Sequence, residues 1–257
     1  MNLRRIAFFA LTAAVALVPE LAFAQGAAAA NQGLTLDLTG GGQMTERLMQ
    51  IIGLVTILSL APSILIMMTC FTRIVVVLSL LRTAIGIQQS PPNSVIVSLA
   101  LFLTFFVMSP TISEINTTAM QPLIAEQITT EEALVRAESP VKKFMAAHTS
   151  VADLGLFIAM AKAPPPETVE AAPIQALVPA FMLSELKRAF EIGFLLFVPF
   201  LIIDMAIASI LMSMGMMMLP PVVISLPFKL IFFVLVDGWR LVAGSLVASY
   251  GVGAPGP

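Results

Sequence analysis

The fold class predicted is all-α: membrane-type helical hairpins spanning the bilayer several times, with a small exterior helical domain, assembled as a homo-oligomeric ring. Three observations predict it. Charged residues make up 11% of the 257-residue chain and hydrophobic ones 58%, where an ordinary soluble domain carries about 25% charged residues, so too little polar surface exists to face water. Several apolar runs, punctuated by proline and glycine, are as long as the ~20 residues a membrane helix requires. Finally, methionine is concentrated at one turn, at Met212, Met214, Met216, Met217 and Met218, which a single copy would use little but a ring could use as a lining.

The same composition excludes several functions. A formal charge of −2 without a basic cluster offers nothing to hold phosphates, so no nucleic acid is expected. One cysteine, Cys70, rules out an internal disulfide and a cysteine-based zinc site. One histidine, His148, argues against a histidine metal cluster or a Ser-His triad, and is expected on the surface. No cofactor is expected.

In chain order, "MNLRRIAFFALTAAVALVPELAFAQG" opens with Arg4 and Arg5, continues with an apolar stretch from Ile6 to Val18, and ends in Ala22-Phe23-Ala24. That is the pattern of a secretory signal peptide, residues 1–24, cut between Ala24 and Gln25; an uncleaved first membrane helix is the alternative. Residues 25–47, rich in Gly, Ala, Gln and Thr, read as a flexible exterior lead-in. An N-terminal apolar module covers 48–110. Its first part, Leu48 to Gly86, would be ~58 Å long as one helix, so it either projects from the bilayer or is a broken pair. "GIQQSPPN" (86–93) is a turn, and the next run, 94–110, is expected to stop at Pro110.

Residues 111–180 carry the acidic residues Glu114 to Glu170 interspersed with Arg136, Lys142, Lys143 and Lys162, and read as an exterior helical domain. Three helix starts are expected there. Thr129 with Glu132 forms a capping box. Ser139 is placed as an N-cap with Pro140 at the first helical position. Ser150 caps a helix with Asp153 in its first turn and Leu154, Phe157, Ile158 and Ala161 along one stripe. "APPPETVEAAP" (163–173) reads as a linker. Residues 181–250 then form a hairpin of two runs, Phe190–Met214 and Val222–Val247, with kinks expected at Pro199 and Pro227. Residues 251–257 are a tail. With the N-terminus outside, alternation puts the 111–180 domain outside and the methionine turn inside.

The hairpin holds Glu191, Asp204, Lys229, Asp237 and Arg240, each costing roughly 2.5–3.5 kcal/mol within a membrane run unless partnered. Folded about Met217, Asp204 and Lys229 come to the same depth, ~20 Å from the tip. Their pairing, within a hairpin or between neighbouring copies, is the expectation, with registration of identical subunits by an inter-subunit pair as the favoured reading. Glu191 and Arg240 form a second candidate pair by the same count. Separate snorkelling of each charge, or a proton pathway, are the competing uses.

Methionine is unbranched and adapts to irregular shapes. A ring of copies turning Met216, Met217 and Met218 inward would make a deformable apolar constriction that blocks ions by dewetting. Gly215 and the Pro220-Pro221 pair suit this by ending the helices on either side. Filler for membrane-core volume and a thioether copper path are the alternatives.

At this point "PAFMLSELKRAFEIGF" (179–194), "PPVVISLPFKLIFFVLVDGW" (220–239) and "FTRIVVVLSLLRTAIGIQQSPPN" (71–93) resemble the signature segments of the FliP family. These are inner-membrane export-gate proteins of the flagellar type III secretion apparatus. The resemblance implies a ring of five copies in the flagellar basal body, joined by FliQ-like and FliR-like subunits and other export-apparatus membrane proteins. Such a gate, contacting membrane lipid, passes unfolded flagellar subunits. The family's gasket maps onto Met216, Met217 and Met218, and its charged pair between protomers onto Asp204 and Lys229. It also implies that helices reading as spans sit largely above the bilayer in the assembled gate. A homologous virulence-injectisome subunit and, from another class, a small-solute or metal transporter are the rival readings. The leader and the exterior domain favour the flagellar branch, and no internal repeat supports a transporter.

Overall fold

The computed structural model describes residues 66–87, 90–216 and 219–251, with short stretches and single positions between Leu48 and Ser63. The expected signal peptide with its Ala24–Gln25 cleavage site, the lead-in 25–47, Met217, Met218 and residues 252–257 lie outside the described residues. The chain divides into two units, Met1–Ser59 and Leu60–Pro257. The described positions of the first are helical, and Thr56 and Ser59 each donate a hydroxyl to the carbonyl four residues earlier, at 2.7 Å.

In the second unit the elements run α1 (Phe71–Ile85), α2 (Asn93–Ile115), a π-helical turn (Asn116–Met120), α3 (Gln121–Ile124), α4 (Thr130–His148), α5 (Val151–Met160), a 3₁₀ turn (Val169–Ala171), α6 (Ile174–Ser213), α7 (Pro221–Leu235) and α8 (Gly238–Ala248). Every regular element among the described residues is helical. The long stretch before Gly86 is broken at Met68–Cys70, where one helix ends and α1 begins. Gly86, in the left-handed region at φ +91°, closes α1, and Arg82 of its last turn reaches across the following turn to Pro91 O (3.2 Å) and Asn93 Oδ1 (2.6 Å).

Pro110 does not end the second run. α2 passes through it and leads by way of the π turn into α3, a helical stretch of 32 residues from Asn93 to Ile124. An apolar run in a membrane has no water for its freed carbonyls, so losing one bond at a proline costs less than ending the helix. Pro199 and Pro227 likewise lie inside α6 and α7. The second arm of the hairpin breaks elsewhere, by 61° between α7 and α8. Asp237 sits there at φ +51°, a region that Asp tolerates better than most residues. Gly238 follows, and a Cβ on it would lie 2.1 Å from the Phe233 ring, so the close turn requires a glycine.

Two of the three expected starts between 111 and 180 hold. Thr129 and Glu132 form the reciprocal capping box at the head of α4. Ser150 is the N-cap residue of α5, with Leu154 and Ile158 buried, although its side chain makes no capping bond. Ser139 starts nothing. α4 continues through Pro140, which is buried, so side-chain packing along this face outweighs the missing backbone bond.

Two cores follow. One gathers Ile74, Val77, Leu78 and Leu81 of α1 against Ile96 and Ala100 of α2, Ala189 and Phe200 of α6, Phe233 of α7 and Leu246 of α8. The other packs Met145 of α4 and Leu154 and Ile158 of α5 on Leu177, Ala180 and Phe181 of α6. α6 belongs to both, so no element ends at 180. Its 40 residues amount to ~60 Å, twice the ~30 Å hydrocarbon core, and its first part packs on α4 and α5. By length and composition α2–α3 and α6 can each cross a membrane, and the bent pair α7–α8 makes up to a third span.

Candidate functional site

Asp204 and Lys229 meet where the depth count puts them. α7 begins with Pro220 as N-cap and Pro221 at its first position; this fixes its register, so that Ser225 and Lys229, four apart, share the face turned to α6. Lys229 Nζ lies 2.6 Å from Asp204 Oδ2 and 3.5 Å from the Ala84 carbonyl of α1. The Ser225 hydroxyl donates to Asp204 Oδ1. Lysine is nearly buried, at 6% side-chain exposure, and aspartate partly open, at 29%. Three helices are thus joined at one charge pair, and charge-assisted bonds of this kind are the strong ones. The favoured expectation set this pair between copies; in the single chain it closes within the hairpin.

Glu191 and Arg240 are not brought together. Glu191 takes Arg188 at 3.3 Å and Arg240 takes Asp237 at 4.0 Å, all four well exposed. The 61° bend ends the straight-helix count that matched their depths.

The methionine turn is built by Gly215. At φ +75° its N–H bonds Met212 O (3.1 Å) while Met216 N–H bonds Leu211 O (3.0 Å), the two-bond Schellman closure of a helix C-terminus. Met212, Met214 and Met216 are all exposed, Met216 at 42%. Of the three candidate gasket residues this places Met216 at the tip; Met217 and Met218 lie outside the described residues.

A second polar centre escaped the sequence reading. Arg73 of α1 and Glu185 of α6, both buried, form a bidentate pair, with Nε 2.8 Å from Oε2 and Nη2 on Oε1. Tyr250 donates its hydroxyl to the same carboxylate, and the guanidinium carbon lies 4.0 Å from the Tyr250 ring centroid, a cation–π contact. His148 stands edge-on to Tyr250 and tilted against Phe144, both at 4.9 Å. It is therefore half-buried, not a surface residue. Burial, with the Arg73 charge adding to it, lowers its pKa to about 4. Beside this centre opens a cavity of about 680 Å³, lined by Arg73, His148, Asp153, Lys187 and Glu191 among others. At its edge the Ser184 hydroxyl receives the Ser150 N–H (2.9 Å) and donates to Asp153 Oδ2 (2.6 Å). Ser184 thus stands between the Ser150 N–H and the Asp153 carboxylate, which in a capping box would meet directly.

Apolar helices of spanning length, tied to one another by the Arg73–Glu185 and Asp204–Lys229 ion pairs, define a membrane-associated helical protein. The comparisons with known proteins agree. Residues 54–246 match the FliP family. The chain is 58% identical over 257 residues to the flagellar biosynthetic protein FliP of Caulobacter vibrioides, which covers 99% of this chain and 94% of that protein. Its counterpart in Bacillus subtilis is 59% identical over 197 residues, covering 77% of this chain and 89% of that protein. That of Aquifex aeolicus is 56% identical over 213 residues, 82% of this chain and 89% of that protein. The chain belongs to the FliP family, a structural family of the flagellar export apparatus, and is not an enzyme.

Proposed function

We propose that this chain is a pore-forming subunit of the flagellar type III export gate in the bacterial inner membrane. Copies stand in a ring and turn their Met216–Met218 loops inward, so that the thioethers close the passage at rest and part around an unfolded flagellar subunit. The family match over 54–246 is the observation that carries this reading, and relatives named as flagellar biosynthetic proteins favour the flagellar branch over an injectisome. The Schellman closure at Gly215, which holds Met216 exposed at the tip, supports the gasket. FliQ-like and FliR-like subunits, other export-apparatus proteins and lipid cover the remaining apolar faces.

Neighbouring copies are registered by Asp204 and Lys229. A neighbour's ammonium reaches the carboxylate from its open side, the side that leaves it 29% exposed, and each lysine so displaced turns to the carboxylate of the next copy, so that every Lys229 keeps a counter-charge round the ring. Cysteine chemistry tests both statements in a Cys70→Ala background. Met216→Cys chains in resting membranes are expected to oxidise into inter-chain disulfides. Co-expressed Asp204→Cys and Lys229→Cys chains are expected to cross-link with a short bismaleimide. Absence of turn cross-links in assembled particles counts against an inward ring, and absence of the mixed product against registration by this pair.

A further inference from the structure

We propose that Ser225 is a positioning residue for Asp204, and that its hydroxyl holds the carboxylate in the orientation in which it receives Lys229. The inference rests on the reading that the Asp204–Lys229 pair matters to the gate, and adds a residue to it.

Ser225 is wholly buried on the face of α7 that meets α6. Its hydroxyl has one proton and two acceptors within reach, Asp204 Oδ1 and, at 3.1 Å, the Val222 carbonyl of its own helix. A carboxylate is the stronger acceptor, so the proton goes to Asp204. The two carboxylate oxygens then have separate tasks. Oδ1 is fixed by Ser225, and Oδ2 is left facing Lys229 Nζ, which in turn reaches the Ala84 carbonyl at the end of α1. Without the hydroxyl, Asp204 keeps a single bond at a partly open surface, and its side chain is free to turn outward. That movement strips Lys229, at 6% exposure, of its counter-charge. Without the carboxylate, Ser225 falls back on Val222 as an ordinary i−3 hydroxyl bond and loses little.

This asymmetry makes a double-mutant cycle decisive. The full-length chain carrying Ser225→Ala, Ser225→Cys, Asp204→Ala or Asp204→Ala with Ser225→Ala is assayed two ways: filament protein secreted per cell, and melting temperature of the detergent-extracted chain. Ser225→Ala is expected to lower the melting temperature by about 5 °C, from the size of a bond to a charged group in a chain of this length, and to reduce secretion several-fold. Ser225→Cys, nearly isosteric but a poor donor, should fall with it. In the Asp204→Ala background, which removes the acceptor altogether, Ser225→Ala should add nothing measurable. An equal loss in both backgrounds, or wild-type behaviour of Ser225→Cys, would reduce Ser225 to a packing residue and overturn the proposal. Should Asp204→Ala abolish secretion, the melting cycle still decides. Normal secretion by Asp204→Ala would instead sink the role given to the ion pair, while a coupled melting cycle would leave the Ser225–Asp204 relation standing.

Discussion

Glu185 occupies a stripe of α6 in which Leu177, Phe181, Ala189 and Gly193 recur at intervals of four, every one of them buried. A carboxylate in that stripe needs a fixed partner, because an unpaired charge in a packed interior is far costlier than the pair. Arg73 supplies it from α1, and Tyr250 adds a hydroxyl. Glu185→Gln keeps the shape but leaves Arg73 without its counter-ion, at an expected cost of about 3 kcal/mol, or roughly 10 °C in melting temperature. Thermal unfolding of the extracted chain measures it. His148 adds a pH dependence. With its folded pKa near 4, below the ordinary 6.5, the folded chain binds fewer protons than the unfolded one between those values. Its contribution is therefore complete above about pH 6.5 and is lost as pH falls towards 4. Melting temperature should drop across that window, and His148→Phe, which keeps an aromatic ring against Phe144 and Tyr250, should flatten the drop. The stripe of four was readable in "LVPAFMLSELKRAFEIG". What local reading could not supply was the partner, which lies 112 residues away in the chain.

Helix ends were legible where the signal is local and chemically complete. Thr129 with Glu132 and Gly215 before the prolines each specify a terminus through a few adjacent bonds. Proline alone misled. At Pro110 and Pro140 the helix continues, because a membrane setting or a packed face outweighs one lost bond. The close approach of α1 to α6 is set by another residue of the same stripe. A Cβ on Gly193 would lie 2.2 Å from Leu80 Cδ1 and 3.3 Å from its Cβ and Cγ, so Leu80 cannot escape by rotating its tip alone. Gly193→Ala should cost about 1–3 kcal/mol by overpacking. Leu80→Ala added to it should recover part of that loss, which the melting temperatures of the single and double variants will show.

At the scale of the molecule, α6 ties the parts together. One half packs with α4 and α5, the other carries Asp204 and ends at the methionine turn. Charge clusters cross-link it on either side of Gly193, Arg73–Glu185–Tyr250 before and Asp204–Ser225–Lys229 after, so the turn is presented on a braced support. The all-helical class, the hairpin and the matched depth of Asp204 and Lys229 were readable because composition and residue counting along a straight helix suffice for them. Glu191 and Arg240 failed that count where the arm bends at Asp237. The proposed gate rests on the turn sealing a passage, and resting leak across the membrane tests this most directly. Cells whose chains carry Met216→Ala, Met217→Ala and Met218→Ala together should assemble the particle normally yet admit ions and small dyes that wild-type cells exclude. Normal assembly with no added leak would contradict the seal.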